Sequence, residues 1–242
     1  GLNIQPIHAF CQSLLGRFPL EAGLAPHFAV MDERDANEML AAATEDVLAR
    51  AREDEALARA LGRVTAHVHE TAFSGLLGAL AANRGRLGRL IRGSGSAQAA
   101  ADATRGLLGL EAGETPAAVL AAASGDQAFD ARALRTAVAA LNEGSDADAG
   151  RAAAVSRWLA ATPGDRADGF EAYANAYLAN GLTTVRDTLI TKKAAKSDPD
   201  AGPALEAEAA RLLAVSMRTR AVVTAEASAG LLTLGEALLA AY

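Results

Sequence analysis

The chain has 242 residues with a net charge of −6, and 51% of them are hydrophobic although aromatics make up only 4%. Alanine fills 62 positions and only three of the 23 basic residues are lysine, a helix-former's composition that argues against a mostly β protein. The high apolar fraction argues against disorder, and the single Cys11 excludes an internal disulfide or a cysteine metal cluster. No uncharged apolar run approaches the roughly 18 residues that span a bilayer. No signal peptide is visible at the start, so the expectation is a soluble, cytoplasmic protein with no membrane association.

Taken in order, Leu2, Ile4 and Ile7 form a short extended-looking stretch in which Pro6 opposes a helix. From His8 the positions Phe10, Cys11, Leu14 and Leu15 follow helical spacing, and a loop through Pro19, Gly23 and Pro26 follows. Asp32 reads as the N-cap of a long helix, with Glu33 and Asp35 in its first turn and Met39, Leu40, Val47 and Leu48 on its apolar face. Further helices are expected over residues 54–68, 71–92, 96–109, 115–123, 127–142, 150–161 and 166–180. The stretches 93–96 and 143–150 read as flexible connections. A last helix is expected from about Pro203 to Ala241, close to 57 Å long, weakened at Gly230 and Gly235. The fold class expected is all-α, an irregular bundle of eight to ten helices with an extended N-terminal segment.

Charge is unevenly spread. Residues 32–55 hold nine acids and three arginines, whereas 71–101 hold no acid and Arg84, Arg86, Arg89 and Arg92. Arg86, Arg89 and Arg92 are spaced i, i+3, i+6 and share one helical face. A second patch gathers Arg186, Lys192, Lys193 and Lys196, and so contains every lysine in the chain. Clusters of this kind neutralise phosphates without sequence preference, although a solvated face is the plainer reading. No lysine follows a glycine, so a Walker phosphate loop is absent. His67 and His69 stand two apart on a helix, a poor metal pair, one expected to be partly buried and the other solvated. Asp146-x-Asp148-x-Gly150 lacks the further acids of a calcium loop and reads as a solvated turn. No catalytic constellation and no metal site are expected on this chain.

The segment Ile4-Gln5-Pro6-Ile7-His8-Ala9-Phe10-Cys11, followed by Leu14 and Leu15, resembles the T-x-H-x-F motif of UvrD/Rep-type superfamily 1 helicases. Residues 17–34, RFPLEAGLAPHFAVMDER, are similar to the AddA subunits of bacterial AddAB helicase–nucleases. Tyr177 to Lys196, with Leu182-Thr183-Thr184 and Leu189 to Lys193, resembles the segment before the last insertion helix of that family. Leu231-Leu232 through Leu238-Leu239 to Tyr242 resembles the helix that returns to the core. The resemblance implies a helical 1B insertion subdomain, residues 31–242, with a core-domain edge at 1–30. Its larger parent would be an ATP-dependent DNA helicase and exonuclease acting in double-strand break repair by recombination. ATP and Mg²⁺ would serve that parent, with DNA and the nuclease subunit AddB as its partners.

On this reading His8 and Phe10 contact single-stranded DNA, by hydrogen bond and by ring stacking, unless they pack the chain's own core. The usual motif threonine is Pro6 here, which removes a hydroxyl and a backbone N–H. The two basic patches would contact DNA phosphates. The alternatives are a docking module for the partner nuclease subunit or a structural spacer. Exposed Leu2, Ile4 and Ile7 would offer an edge for self-association.

Overall fold

The computed structural model describes residues 6–241. Thirteen helices and one two-stranded hairpin occur among these residues, so the all-α class holds. The expected extended positions Leu2 and Ile4 lie outside the described residues.

Helix α1 (Ile7–Arg17) buries none of its residues. After the loop at 18–31 come α2 (Glu33–Arg50), α3 (Glu55–Thr65), α4 (Glu70–Ala82), α5 (Arg84–Ser94) and α6 (Ala97–Leu107). Side chains open most of these helices by taking up orphan backbone donors: Asp32 accepts from the Asp35 N–H, Asp54 from Ala56 and Leu57, and Ser96 from Ala99. The single helix expected over 71–92 is two. Asn83 turns its amide onto the Ala79 carbonyl at 2.9 Å, a local hydrogen bond that competes with continuing the helix.

The second group comprises α7 (Pro116–Ala123), α8 (Ala131–Asn142), α9 (Asp146–Ala160), α10 (Pro163–Asp168) and α11 (Phe170–Ala174). It continues with β1 (Leu178–Ala179), β2 (Thr184–Val185) and the single turn α12 (Lys192–Ala195). Thr115-Pro116 and Thr162-Pro163 begin helices as expected, the hydroxyls accepting from Ala118 and Asp165. The helix expected over 166–180 is replaced by α10, α11 and an antiparallel hairpin pairing Leu178 with Val185 and Ala179 with Thr184. Asn180, Gly181 and Leu182 all have positive φ, and an Asn-Gly pair is the strongest short hairpin signal.

Helix α13 (Ala201–Ala241) has 41 residues, about 60 Å of helix, and binds the two groups together. By length and composition it is apolar enough to cross a membrane, and here it packs against helices of both groups. Its first half supplies Ala201, Leu205, Ala209 and Leu212 to the core of the α7–α12 lobe. Its last third supplies Leu232, Leu234 and Leu238 to the α2–α6 lobe. Gly230 and Gly235 do not break it. A Cβ on Gly230 would stand 2.8 Å from the Ala60 carbonyl, and one on Gly235 2.5 Å from Leu87 Cδ2, so these glycines let α3 and α5 approach closely.

Candidate functional site

All nine residues singled out for DNA contact are exposed: His8, Phe10, Arg86, Arg89, Arg92, Arg186, Lys192, Lys193 and Lys196. They do not form one site. His8 and Phe10 lie two residues apart on α1, so their side chains leave the helix about 200° apart. Phe10 lies at one edge of an apolar stripe, while His8 lies just beyond its other edge, next to Leu15. Neither packs the chain's own core.

Helix α5 turns Gly88 and Ile91 inwards, with Leu87 half-buried beside them. That registry sends Arg86, Arg89 and Arg92 to solvent on the other side, with Leu90 half exposed at the flank of Arg86. None of the three arginines has an ion-pair partner among the described residues. The acidic helix of the same lobe, α2, packs on α13 and α4, whereas α5 packs on α13, α4 and α6. The lobe thus carries an acidic helix and an arginine helix as separate features.

The lysine patch is weaker electrostatically. Residues 186–200 set four cations against Asp187, Asp198 and Asp200. Arg186 is also committed, its Nε donating to the Asn175 carbonyl at 3.0 Å. Its helix α12 ends five residues before α13 begins, while α5 meets α13 at Gly235. About 50 Å of helix separates Ala201 from Gly235, so the two basic patches stand near opposite ends of α13.

The most connected polar groups are ones that sequence reasoning missed. Asp148, expected in a solvated turn, is 1% exposed. Its carboxylate accepts from the Ser145 N–H and hydroxyl and from the Thr191 N–H and hydroxyl, at 2.6–3.1 Å. Burial pushes its pKa up, but these hydrogen bonds outweigh burial and hold it below the usual carboxylate range. The capping box Ser145-x-x-Asp148 is visible in the sequence, and it makes 143–150 a helix start rather than a flexible link. Arg151 donates to the carbonyls of Ala176, Thr188 and Leu189, joining α9 to the hairpin and to the approach to α12. Burial lowers its pKa, opposed by Tyr177 and Asp148.

Behind this network Trp158 stacks on Tyr173 at 4.2 Å and meets Phe129 and Phe170 edge-on. Arg166 and Arg211 lie over the Phe129 and Trp158 rings. Arg211 holds both oxygens of buried Glu208 at 2.7 Å, and Arg166 pairs with Asp126 at 2.6 Å. Burial, with Tyr177 and Glu208 alongside, pushes the Tyr173 phenol far above its ordinary value. A cavity of about 560 Å³ opens beside Phe129, Glu208 and Arg211. At its wall Glu208 and Arg211 pair with each other, and Asp130 accepts from the Arg132 and Ala133 N–H groups to cap α8.

His67 and His69 are both exposed, and His69 caps α4 by accepting from the Thr71 N–H. No group of three or more His, Cys, Asp or Glu side chains gathers in metal-binding geometry among the described residues. No family model, curated protein or solved structure matches the chain.

Proposed function

We propose that this chain is a DNA-guiding helical subdomain of an ATP-dependent DNA helicase and exonuclease of the AddA type, acting in the cytoplasm in double-strand break repair by recombination. The observation that carries the reading is the stripe Arg86, Arg89 and Arg92 on the outer face of α5, within a 31-residue stretch free of acids. Guanidinium groups held at about 4.5 Å intervals along a helix can exchange a phosphate backbone's counterions without reading bases. The acidic α2 elsewhere on that lobe disfavours other approaches, so the field gives DNA a preferred orientation.

Two further features support the reading. The sequence resembles AddA at both ends of the chain. In space, Ala241 of α13 and Leu40 of α2 pack against the same cluster, as suits an inserted subdomain that leaves and rejoins a larger fold at one place. ATP and Mg²⁺ belong on this reading to the larger enzyme, and no residue of this chain is assigned to them.

The test is a salt titration of DNA binding by fluorescence anisotropy, with a single strand and a tailed duplex. The expected result is affinity that falls steeply with salt, with a shallower log–log slope in the R86E/R89E/R92E variant. Absence of binding at low salt, or an unchanged slope in the variant, contradicts the reading.

A further inference from the structure

An open depression of about 360 Å³ lies between α9, α11 and the end of the hairpin. Small residues, among them Ala147, Gly150 and Ala172, leave it room, and Arg151, Asn175 and Arg186 are its polar lining. No carboxylate lines it among the described residues. Arg151 spends its donors on carbonyls of the hairpin side, and its charge is balanced by Asp148 at 3.9 Å. Arg186 is held differently. Its backbone N–H donates to the Tyr177 carbonyl at 2.9 Å, and its Nε donates to the Asn175 carbonyl at 3.0 Å. Those two anchors fix the guanidinium, while Nη1 and Nη2 take no hydrogen-bond or ion-pair partner among the described residues. Asp146, Glu171 and Asp187, the exposed acids nearest in sequence to the lining, do not pair with it. Burial lowers the Arg151 pKa and the like charge of Arg186 lowers it further, so the two guanidinium groups stand within electrostatic reach of each other.

We infer that this depression binds a phosphate monoester, held chiefly by the fork of Arg186. A guanidinium tethered through Nε presents its two remaining nitrogens to a phosphate's oxygens, and tethering beforehand removes part of the ordering cost. The Asn175 side-chain amide lines the same space and supplies a neutral donor. Arg151 adds charge from the wall without giving up the carbonyls it holds. A phosphate dianion answers two cations and accepts from several directions, whereas a carboxylate carries one charge and uses the fork alone. The floor of alanine and glycine leaves space for the group that the phosphate carries. Two sources share this chemistry, a free phosphate monoester and the terminal phosphate of a DNA strand. The second rests on the DNA-guiding reading above, and the first does not.

The test is a titration of the 242-residue chain with inorganic phosphate at constant ionic strength, followed in ¹H–¹⁵N spectra for wild type, R186Q and G150L. A Cβ at Gly150 meets nothing within 4 Å, so G150L fills the floor at unchanged charge. Circular dichroism of all three checks that the chain folds. The expected result is a saturable shift of the Ala147 amide and the Arg186 Nε–H, with a low-millimolar dissociation constant that rises at least fivefold in both variants. No saturation by 50 mM phosphate, an unchanged constant in R186Q, or equal shifts with acetate overturns the inference. A short DNA strand with and without a 5′-phosphate separates the two sources. Tighter binding of the phosphorylated strand, reversed by inorganic phosphate, assigns the site to strand ends, and equal binding assigns it to a free monoester. The R86E/R89E/R92E variant should keep the wild-type phosphate constant, so failure here and failure of the α5 reading are distinguishable.

Discussion

The two lobes strung along α13 are built in opposite ways. The α7–α12 lobe concentrates the aromatic residues Phe129, Trp158, Phe170, Tyr173 and Tyr177, and ties them with the charged groups Asp148, Arg151, Arg166, Glu208 and Arg211. The α2–α6 lobe holds a single aromatic residue, Phe73, and is closed by alanine, leucine and valine with glycine contacts. In the first lobe Arg151, Arg166 and Arg211 are structural clamps, their donors spent on backbone carbonyls and carboxylates. In the second, Arg86, Arg89 and Arg92 of α5 are exposed and take no part in the core, whereas Arg84 of the same helix donates to the Ala81 carbonyl. The same residue type therefore plays two roles, and burial rather than sequence frequency tells them apart.

The largest effect that would probe this contrast is loss of Trp158. Trp158→Ala removes the ring on which Tyr173, Phe129, Phe170 and two guanidinium groups converge, and should cost about 3–5 kcal/mol in chemical denaturation. A loss under 1 kcal/mol would mean that the aromatic cluster is not the keystone of its lobe.

Asp148→Asn comes next, at about 2–3 kcal/mol near neutral pH, because an amide nitrogen would face donors that the carboxylate now satisfies. The sign of its pH dependence follows from the lowered pKa. Ionised Asp148 contributes fully above the unfolded carboxylate value of about 4, and the contribution fades as pH falls through the lower folded value. Wild-type and D148N stabilities measured from pH 7 down to pH 2 should therefore converge in acid. Parallel curves would show that the carboxylate's ionisation is not what holds α9 to Thr191.

On the other lobe the decisive contacts are steric. Gly230→Ala would press a methyl group onto the Ala60 carbonyl and should lower stability by about 1–2 kcal/mol, despite the better helix propensity of alanine. Gly78→Ala in α4, where a methyl group meets nothing within 4 Å, should raise stability by up to about 1 kcal/mol. Thermal melts of the two variants should move in opposite directions. Movement in the same direction would break the account of α3 packing on α13.

Much of this architecture could be read from the residues. Alanine-rich helical composition, the Asp32 cap, the Thr-Pro starts and the unbroken pattern of α13 all correspond to what is seen. The arginine stripe was legible because three residues at i, i+3, i+6 share a face whatever the tertiary packing. What escaped depends on competition between local signals or on distant partners. Asn83 splits a periodic apolar run through one side-chain hydrogen bond. The hairpin at 178–185 announces itself only in Asn180-Gly181, inside a stretch of good helix formers. Asp148 looked solvated because Thr191, which completes its shell, is 43 residues away. For His8 and Phe10 the motif gave residue types, and the helix of α1 sets their side chains on different sides.

The measurement that tests the central claim most directly compares two charge-reversed variants side by side. Binding of a tailed duplex at low salt would be measured for wild type, R86E/R89E/R92E and K192E/K193E/K196E. The α5 stripe lies exposed within a 31-residue stretch of sequence free of acids, whereas the lysines stand among three aspartates, so affinity should fall at least tenfold in the first variant and less than threefold in the second. Equal losses in the two variants, a larger loss in the lysine variant, or wild-type affinity in the arginine variant would contradict the assignment of α5 as the DNA-guiding face.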